Sequence, residues 1–265
     1  MIRFLAYLRT WVFPAVLLMG IAVAFLAVNA PEQDTGPDPI WFEDVTTEVV
    51  IPPYQGQSYG AAWGDANGDG HPDLWASGHS PQRLLINLED GRLVDQTKAL
   101  AAPIRYSDRH GAAWADLDND GDEDLIQVSG AGRGEAKDPN ALYLNDDGML
   151  EDSAAQFGVE AGRMRTRAPL WLDLDADGWL DLIITAAARP DAPPSLFRWD
   201  SEQQQYPQQP LAFLRASKIA NLSQLGQPGI QHLVTGPPHA LFVHELRAGE
   251  LIDVGADLGL TRLPG

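Results

Sequence analysis

Three stretches of the chain align without gaps. Gly60-Ala61-Ala62-Trp63-Gly64-Asp65-Ala66-Asn67-Gly68-Asp69-Gly70-His71-Pro72-Asp73-Leu74 is the first. The second runs from Gly111-Ala112-Ala113-Trp114 through Asp116-Leu117-Asp118-Asn119-Asp120-Gly121-Asp122-Glu123-Asp124 to Leu125. The third runs from Ala168-Pro169-Leu170-Trp171 through Asp173-Leu174-Asp175-Ala176-Asp177-Gly178-Trp179-Leu180-Asp181 to Leu182. Their first aspartates stand at 65, 116 and 173, in steps of 51 and 57. A unit repeated at that period folds as a series of similar small structures that bury their faces on one another. One further step of 51 reaches Gln224, where the glycine and the final leucine persist in Gln224-Leu225-Gly226-Gln227-Pro228-Gly229-Ile230-Gln231-His232-Leu233 and every carboxylate is gone. This reads as a fourth, degenerate copy.

A second marker, an apolar residue, any residue and then Asp, keeps the same beat. It occurs as Phe42-Glu43-Asp44, Leu93-Val94-Asp95, Leu150-Glu151-Asp152 and Leu251-Ile252-Asp253, with the skipped copy at Tyr206-Pro207-Gln208. Short apolar runs precede it: Leu84-Leu85-Ile86, Leu142-Tyr143-Leu144, Leu196-Phe197-Arg198 and Leu241-Phe242-Val243. Each repeat thus holds four short strand candidates punctuated by Gly, Asn and Asp, as hairpins require. A four-stranded unit of roughly 40–50 residues has the size of a β-propeller blade. The expected fold is all-β: β-propeller-type repeats of four-stranded blades, about four of them, in a closed or an incomplete ring. The longest helix-like stretch in this part, around Ser153 to Phe157, amounts to a turn or two. Trp63, Trp114 and Trp171 share one repeat position, with Leu222 as the fourth, and are expected to pack between blades.

The pattern Asp-x-Asp/Asn-x-Asp-Gly-x-x-Asp places side-chain oxygens at positions 1, 3, 5 and 9, with the position-7 carbonyl as a fifth. Glycine at 6 takes the sharp turn. Carboxylates this crowded repel unless a hard cation lies among them. Calcium accepts 6–8 oxygens in a flexible shell, whereas magnesium demands a tighter octahedron. No histidine or cysteine recurs here, so metals that seek nitrogen or sulfur are not expected. An EF-hand opens with the same nine residues, but needs an acid at position 12 and a following helix. Position 12 holds Ala76, Gln127 and Ile184, and the continuations are strand-like. The loop therefore joins two strands of a hairpin.

On these loops the chain resembles the FG-GAP/VCBS repeat family, whose calcium hairpins occur in integrin-α-like β-propellers. The Gly-Ala-Ala-Trp run and the strand Phe42-Glu43-Asp44-Val45-Thr46 resemble bacterial members that also carry an ASPIC/UnbV domain. The resemblance covers about residues 41–260. It implies about three Ca2+ ions, held by Asp65, Asn67, Asp69 and Asp73, by Asp116, Asp118, Asp120 and Asp124, and by Asp173, Asp175, Asp177 and Asp181. The carbonyls of His71, Asp122 and Trp179 would complete the sets. The fourth loop departs from the pattern and is expected to bind no metal. The family closes a ring of about seven blades, where about four are legible here.

The chain has 265 residues, with 37 acids against 18 bases and a net charge of −19. That balance argues against nucleic acid, whose phosphates require a basic face, and against anionic lipid headgroups. Absent cysteine excludes disulfides, thiolate metal sites and cysteine nucleophiles. Nothing charged lies between Arg9 and Glu32. The run from Trp11 to Ala30 is about 20 residues, or ~30 Å as a helix, which matches one hydrocarbon core. Arg3 and Arg9 then place residues 1–9 in the cytoplasm. Residues 10–30 are expected to be a signal anchor, since Pro31 disfavours cleavage after Ala30; cleavage as a signal peptide, giving a secreted chain, is the alternative. Residues 31–40 form a Pro-rich linker, and 41–265 the repeats, on the periplasmic or extracellular face of the cell membrane.

Other motifs carry less. Gly56-Gln57-Ser58-Tyr59-Gly60 fits a nucleophile elbow but is followed by no helix and overlaps the repeat. Gly130-Ala131-Gly132-Arg133-Gly134 lacks dinucleotide spacing. The six histidines form no spaced ligand set and read as surface or packing residues. Two functions fit: a non-catalytic adhesion or binding module for an extracytoplasmic protein or carbohydrate, and a hydrolase or lyase with its site at a propeller's central opening. The departures from the repeat are lost carboxylates and the Ser129–Asn140 insertion, not convergent acid/base groups, so the expectation is a binding module and not an enzyme.

Overall fold

The computed structural model describes residues 43–45, 47, 49, 57–79, 81–100, 108–131, 136, 138–162, 164–187, 194–211, 218–222, 232–236, 242–247, 250–255 and 257. The apolar span at 10–30, the linker at 31–40 and the fourth loop around Gln224 lie outside them. Among the described residues, no helix is long and apolar enough to cross a membrane. The chain divides into two units, Met1–Asp44 and Val45–Gly265. Of the first, Glu43 and Asp44 are described; both are exposed and neither is in a strand, so the strand expected at Phe42-Glu43-Asp44 is not formed at these two residues.

Among the described residues, the second unit holds four antiparallel four-stranded sheets, each a simple meander in sequence order. The first has β1 (Ser58–Gly64), β2 (Asp73–Gly78), β3 (Arg83–Asn87) and β4 (Leu93–Asp95); the second has β5 (Arg109–Ala115), β6 (Asp124–Ser129), β7 (Ala141–Asp146) and β8 (Met149–Asp152). The third has β9 (Thr166–Leu172), β10 (Asp181–Ala186), β11 (Ser195–Phe197) and β12 (Gln208–Pro210); the fourth has β13 (Lys218–Leu222), β14 (His232–Gly236), β15 (Phe242–Arg247) and β16 (Glu250–Asp253). The first strands adjoin in turn, β1 with β5, β5 with β9 and β9 with β13. This is a β-propeller-like arrangement in which every strand candidate of the last three markers is realised near its expected place. Two single-turn helices follow outer strands: α1 (Thr97–Leu100) after β4 and α2 (Ala154–Phe157) after β8.

The apolar-x-Asp marker has a local cause. Asp95 Oδ1 accepts the amide of Thr97 (3.1 Å), Asp152 Oδ1 that of Ala154 (3.2 Å), and Asp253 Oδ1 that of Gly255 (3.0 Å). Each aspartate satisfies the backbone where its strand ends and the chain turns.

The core lies between sheets. One cluster joins Trp75, Leu84 and Ile86 to Leu125, Tyr143 and Leu150. A second joins Ile126, Val128 and Leu142 to Trp171, Leu182, Ile184 and Phe197. A third joins Leu172, Ile183 and Leu196 to Leu233. Neighbours such as Leu125 and Ile126, or Leu182 and Ile183, serve opposite clusters, because side chains alternate along a strand. Both faces of an inner sheet are buried, so its strands read as unbroken apolar runs.

The repeated tryptophan packs backwards. Trp114 belongs to the cluster shared with the first sheet, and its indole N–H donates to the Ala62 carbonyl (3.3 Å). Trp171 is buried against the second sheet. Trp63 departs from expectation: it is 59% exposed, since no sheet precedes β1 among the described residues. Leu222 also departs. It pairs with His232, while Asn221 pairs with Leu233; in the other sheets the leucine faces Trp63, Trp114 and Trp171. The fourth hairpin carries nine residues, 223–231, where the first carries eight, 65–72. That extra residue moves Leu222 one place beyond the tryptophan position, and Asn221 occupies it.

The glycine that opens Gly-Ala-Ala-Trp allows the first strands to approach. A Cβ on Gly60 would lie 2.3 Å from the His110 carbonyl, and one on Gly111 would lie 2.7 Å from that of Arg167. Gly111→Ala is therefore expected to cost about 1–3 kcal/mol through forced separation of β5 and β9, read as a lower urea midpoint. A second test uses pH. His244 is buried on β15 with Nε2 3.1 Å from Thr235 Oγ1, and burial holds its pKa below the ordinary value. The unfolded chain then binds a proton that the folded chain refuses, so stability falls as pH drops below ~6.5. Denaturation midpoints between pH 7.5 and 5.5 should fall less steeply in His244→Gln than in the parent.

Candidate metal centres

The three acidic loops close the β1–β2, β5–β6 and β9–β10 hairpins with one hydrogen-bond pattern. Position 1 accepts two backbone amides. Asp65 takes those of Asp69 (3.1 Å) and Gly70 (2.8 Å); Asp116 takes those of Asp120 (3.1 Å) and Gly121 (3.2 Å); Asp173 takes those of Asp177 (3.2 Å) and Gly178 (3.0 Å). Position 5 accepts the amide of position 7: Asp69 from His71 (2.8 Å), Asp120 from Asp122 (2.9 Å) and Asp177 from Trp179 (2.9 Å). Gly70, Gly121 and Gly178 at position 6 adopt φ of +83°, +103° and +91°, the region where a Cβ is costly.

These bonds gather the carboxylates. One oxygen each of Asp116, Asp118 and Asp120 lie within 4.8 Å of one another, as do those of Asp173, Asp175 and Asp177. In the first loop Asn67 replaces the middle acid; its Nδ2 donates to Asp69 Oδ2 (2.9 Å) and its Oδ1 accepts the Asp69 amide (3.3 Å). The second and third clusters open to solvent and consist of carboxylate oxygens alone, a donor set for a hard cation; the first brings the Asn67 amide in place of one acid. Arg198 stands 3.8 Å from Asp175 and 3.9 Å from Asp181, so the third loop already has a positive neighbour.

Position 9 does something the sequence did not reveal. Asp73, Asp124 and Asp181 are almost wholly buried. In each, Oδ2 accepts the amide of loop position 2, from Ala66 (2.9 Å), Leu117 (3.0 Å) and Leu174 (3.2 Å). Oδ1 accepts an amide at the end of the third strand or just beyond it, from Asn87 (2.7 Å), Asn145 (2.9 Å) and Trp199 (3.0 Å). The ninth acid thus pins the loop to the sheet. Burial raises the pKa of all three, Asp124 to about 7, and the other loop acids add to the effect. A cation in the loop would offset both causes by favouring the charged form.

Adjacent loops also touch. Glu123 Oε2 accepts the Asp65 amide (2.7 Å), and Asn145 Nδ2 donates to the Ala66 carbonyl (3.0 Å). Gln127, at position 12 of the second loop, is buried on β6; it accepts from the Trp75 indole and donates to the Gly111 carbonyl (2.9 Å). With β2, β6 and β10 following the loops, no EF-hand is formed. Ser58 of the elbow-like pentapeptide starts β1 and is exposed, without the strand-to-helix turn that such a nucleophile needs.

Position 4 offers a test of loop strain. Gly68, Asn119 and Ala176 all adopt left-handed φ, of +69°, +62° and +60°. Glycine and asparagine tolerate this conformation, whereas alanine is disfavoured by about 1–2 kcal/mol. Ala176→Gly should raise the stability by roughly 1 kcal/mol, seen as a higher melting temperature.

Residues 65–126 match the model of the FG-GAP-like repeat family. No curated protein matches the chain. A solved structure titled as the structural basis of specific recognition of non-reducing terminal N-acetylglucosamine by an Agrocybe aegerita lectin is similar at a TM-score of 0.41 and 17% identity. The match covers 71% of this chain and 49% of that one, so the chain spans about half the length of that structure. The matched segment runs from the first acid of loop one through loop two into β6, in agreement with the resemblance read from the loops.

Proposed function

We propose that the chain is an exported, calcium-binding repeat protein that serves as a non-catalytic binding module for an extracytoplasmic protein or carbohydrate. The observation that carries calcium is the convergence of Asp116, Asp118 and Asp120, and of Asp173, Asp175 and Asp177, on common points open to solvent. By the same loop pattern Asp65, Asn67 and Asp69 would hold the third ion. The ions would join loop to loop and screen like charges, and no chemical step is assigned to them. Membrane attachment belongs to the same proposal and rests on the apolar run ahead of Pro31. Sites of the weak extracellular type, ~10⁻⁴–10⁻³ M, suit an exported domain better than a cytoplasmic one.

At free calcium ~100 times the dissociation constant, each site adds about 2.7 kcal/mol by mass action. A chelator should therefore lower the melting temperature strongly, and magnesium should restore it poorly. The middle loop has the most carboxylates, so Asp120→Ala should weaken calcium-dependent stabilisation more than Asp69→Ala. Melting curves that coincide in calcium and in excess chelator would refute the calcium reading. Export is tested separately, by a reporter fused after Gly265, which should be active only outside the cytoplasm.

A further inference from the structure

The strand ends remote from the acidic loops bring His79 together with Asp108 and His110, which lie 29 and 31 residues further along the chain. His79 follows the last residue of β2, Asp108 immediately precedes β5, and His110 lies on β5. Ser58 at the start of β1 faces Gly78 at the end of β2, and β1 adjoins β5, so the two segments meet at one rim. That rim is a strand length away from the loops, ~20 Å for seven residues.

There His79 Nε2 and His110 Nε2 each stand 2.9 Å from the same oxygen, Asp108 Oδ1. The three ligand atoms lie within 4.8 Å of one another. Asp108 Oδ1 is buried and accepts no hydrogen bond of acceptable geometry, so the two imidazoles approach it without the alignment that a hydrogen bond requires. A metal bonded at ~2.1 Å to each of three neighbouring corners of an octahedron would set its ligands ~3 Å apart. The two 2.9 Å edges match that spacing.

The surroundings hold these groups in place. The His79 amide donates to the Gln57 carbonyl (2.9 Å), and the Gly130 amide to that of Asp108 (2.8 Å). The Tyr59 ring lies 4.4 Å from the His79 ring and 4.8 Å from the His110 ring. Gly130 makes room for the second imidazole, since a Cβ there would lie 1.9 Å from His110 Cδ2. The His79 side chain is 40% exposed, so one side of the cluster faces water.

We propose that His79, Asp108 and His110 hold a divalent transition-metal ion, with its remaining positions open to water. Two imidazoles and one carboxylate suit zinc, iron, cobalt or nickel, and disfavour calcium and magnesium, which take oxygen. Three protein ligands with open positions are also the arrangement of an accessible metal rather than a sealed structural one. The site does not depend on the calcium reading.

The test uses the full chain in saturating calcium, titrated with Co2+ and followed by its visible absorbance, then by displacement with Zn2+. One Co2+ per chain is expected, released by one equivalent of Zn2+. His79→Gln and His110→Gln should each weaken binding by about 10- to 100-fold or more, while His244→Gln, on β15 of the fourth sheet, leaves it unchanged. His79 is exposed enough that its variant should keep the parental melting temperature in calcium without Co2+, which separates loss of a ligand from loss of fold. Absence of a Co2+ spectrum, or a spectrum that survives the double His79→Gln, His110→Gln substitution, would overturn the proposal.

Discussion

The ninth acid of each loop is the interaction on which the rest depends. A buried carboxylate that takes one amide from its own loop and another from the third-strand side fixes three segments at once. Without it, two backbone donors in each of the first three sheets would lose their acceptor, at about 1–3 kcal/mol apiece. Burial raises the pKa of these acids, and the two amides bonded to each oppose that rise in part. The acids at positions 1, 3 and 5, with bonds confined to the loop, are left at the surface and able to meet a cation.

From that anchoring follows the stacking of sheets. Once the hairpin end is fixed, alternation along β6 and β10 commits successive residues to opposite neighbours. Leu125 and Ile126 therefore serve different cores. The first strands come close through Gly60 and Gly111, and Trp114 and Trp171 cover the sheet before them. Trp63 has the same sequence context as Trp114 but a different environment.

Much of this was legible because it is written locally. Hairpin turns, loop acids and the aspartates that close outer strands all act within a few residues of themselves, so a period of 51 to 57 residues exposed them. What failed to show was non-local or hidden in uncharged sequence. The extra residue of the fourth hairpin leaves no mark where the acids are gone, so the repeat alone assigns Leu222 a position that Asn221 holds. The buried role of Asp73, Asp124 and Asp181 depends on the backbone amides of Asn87, Asn145 and Trp199, which no side chain marks in the sequence. His79 and His110 stand 31 residues apart in the chain, and the contact between β1 and β5 that brings them together is encoded by no spacing.

The bond that the Asp65 amide donates to Glu123, with that from Asn145 to the Ala66 carbonyl, makes neighbouring loops mechanically continuous. A change that reshapes the second loop also moves an acceptor away from the first residue of the other. Energies of substitutions in the two loops should therefore not add, since they share partners. Loops bound this way respond as a joined rim rather than as separate beads, and the stiffness of one becomes a property of the next.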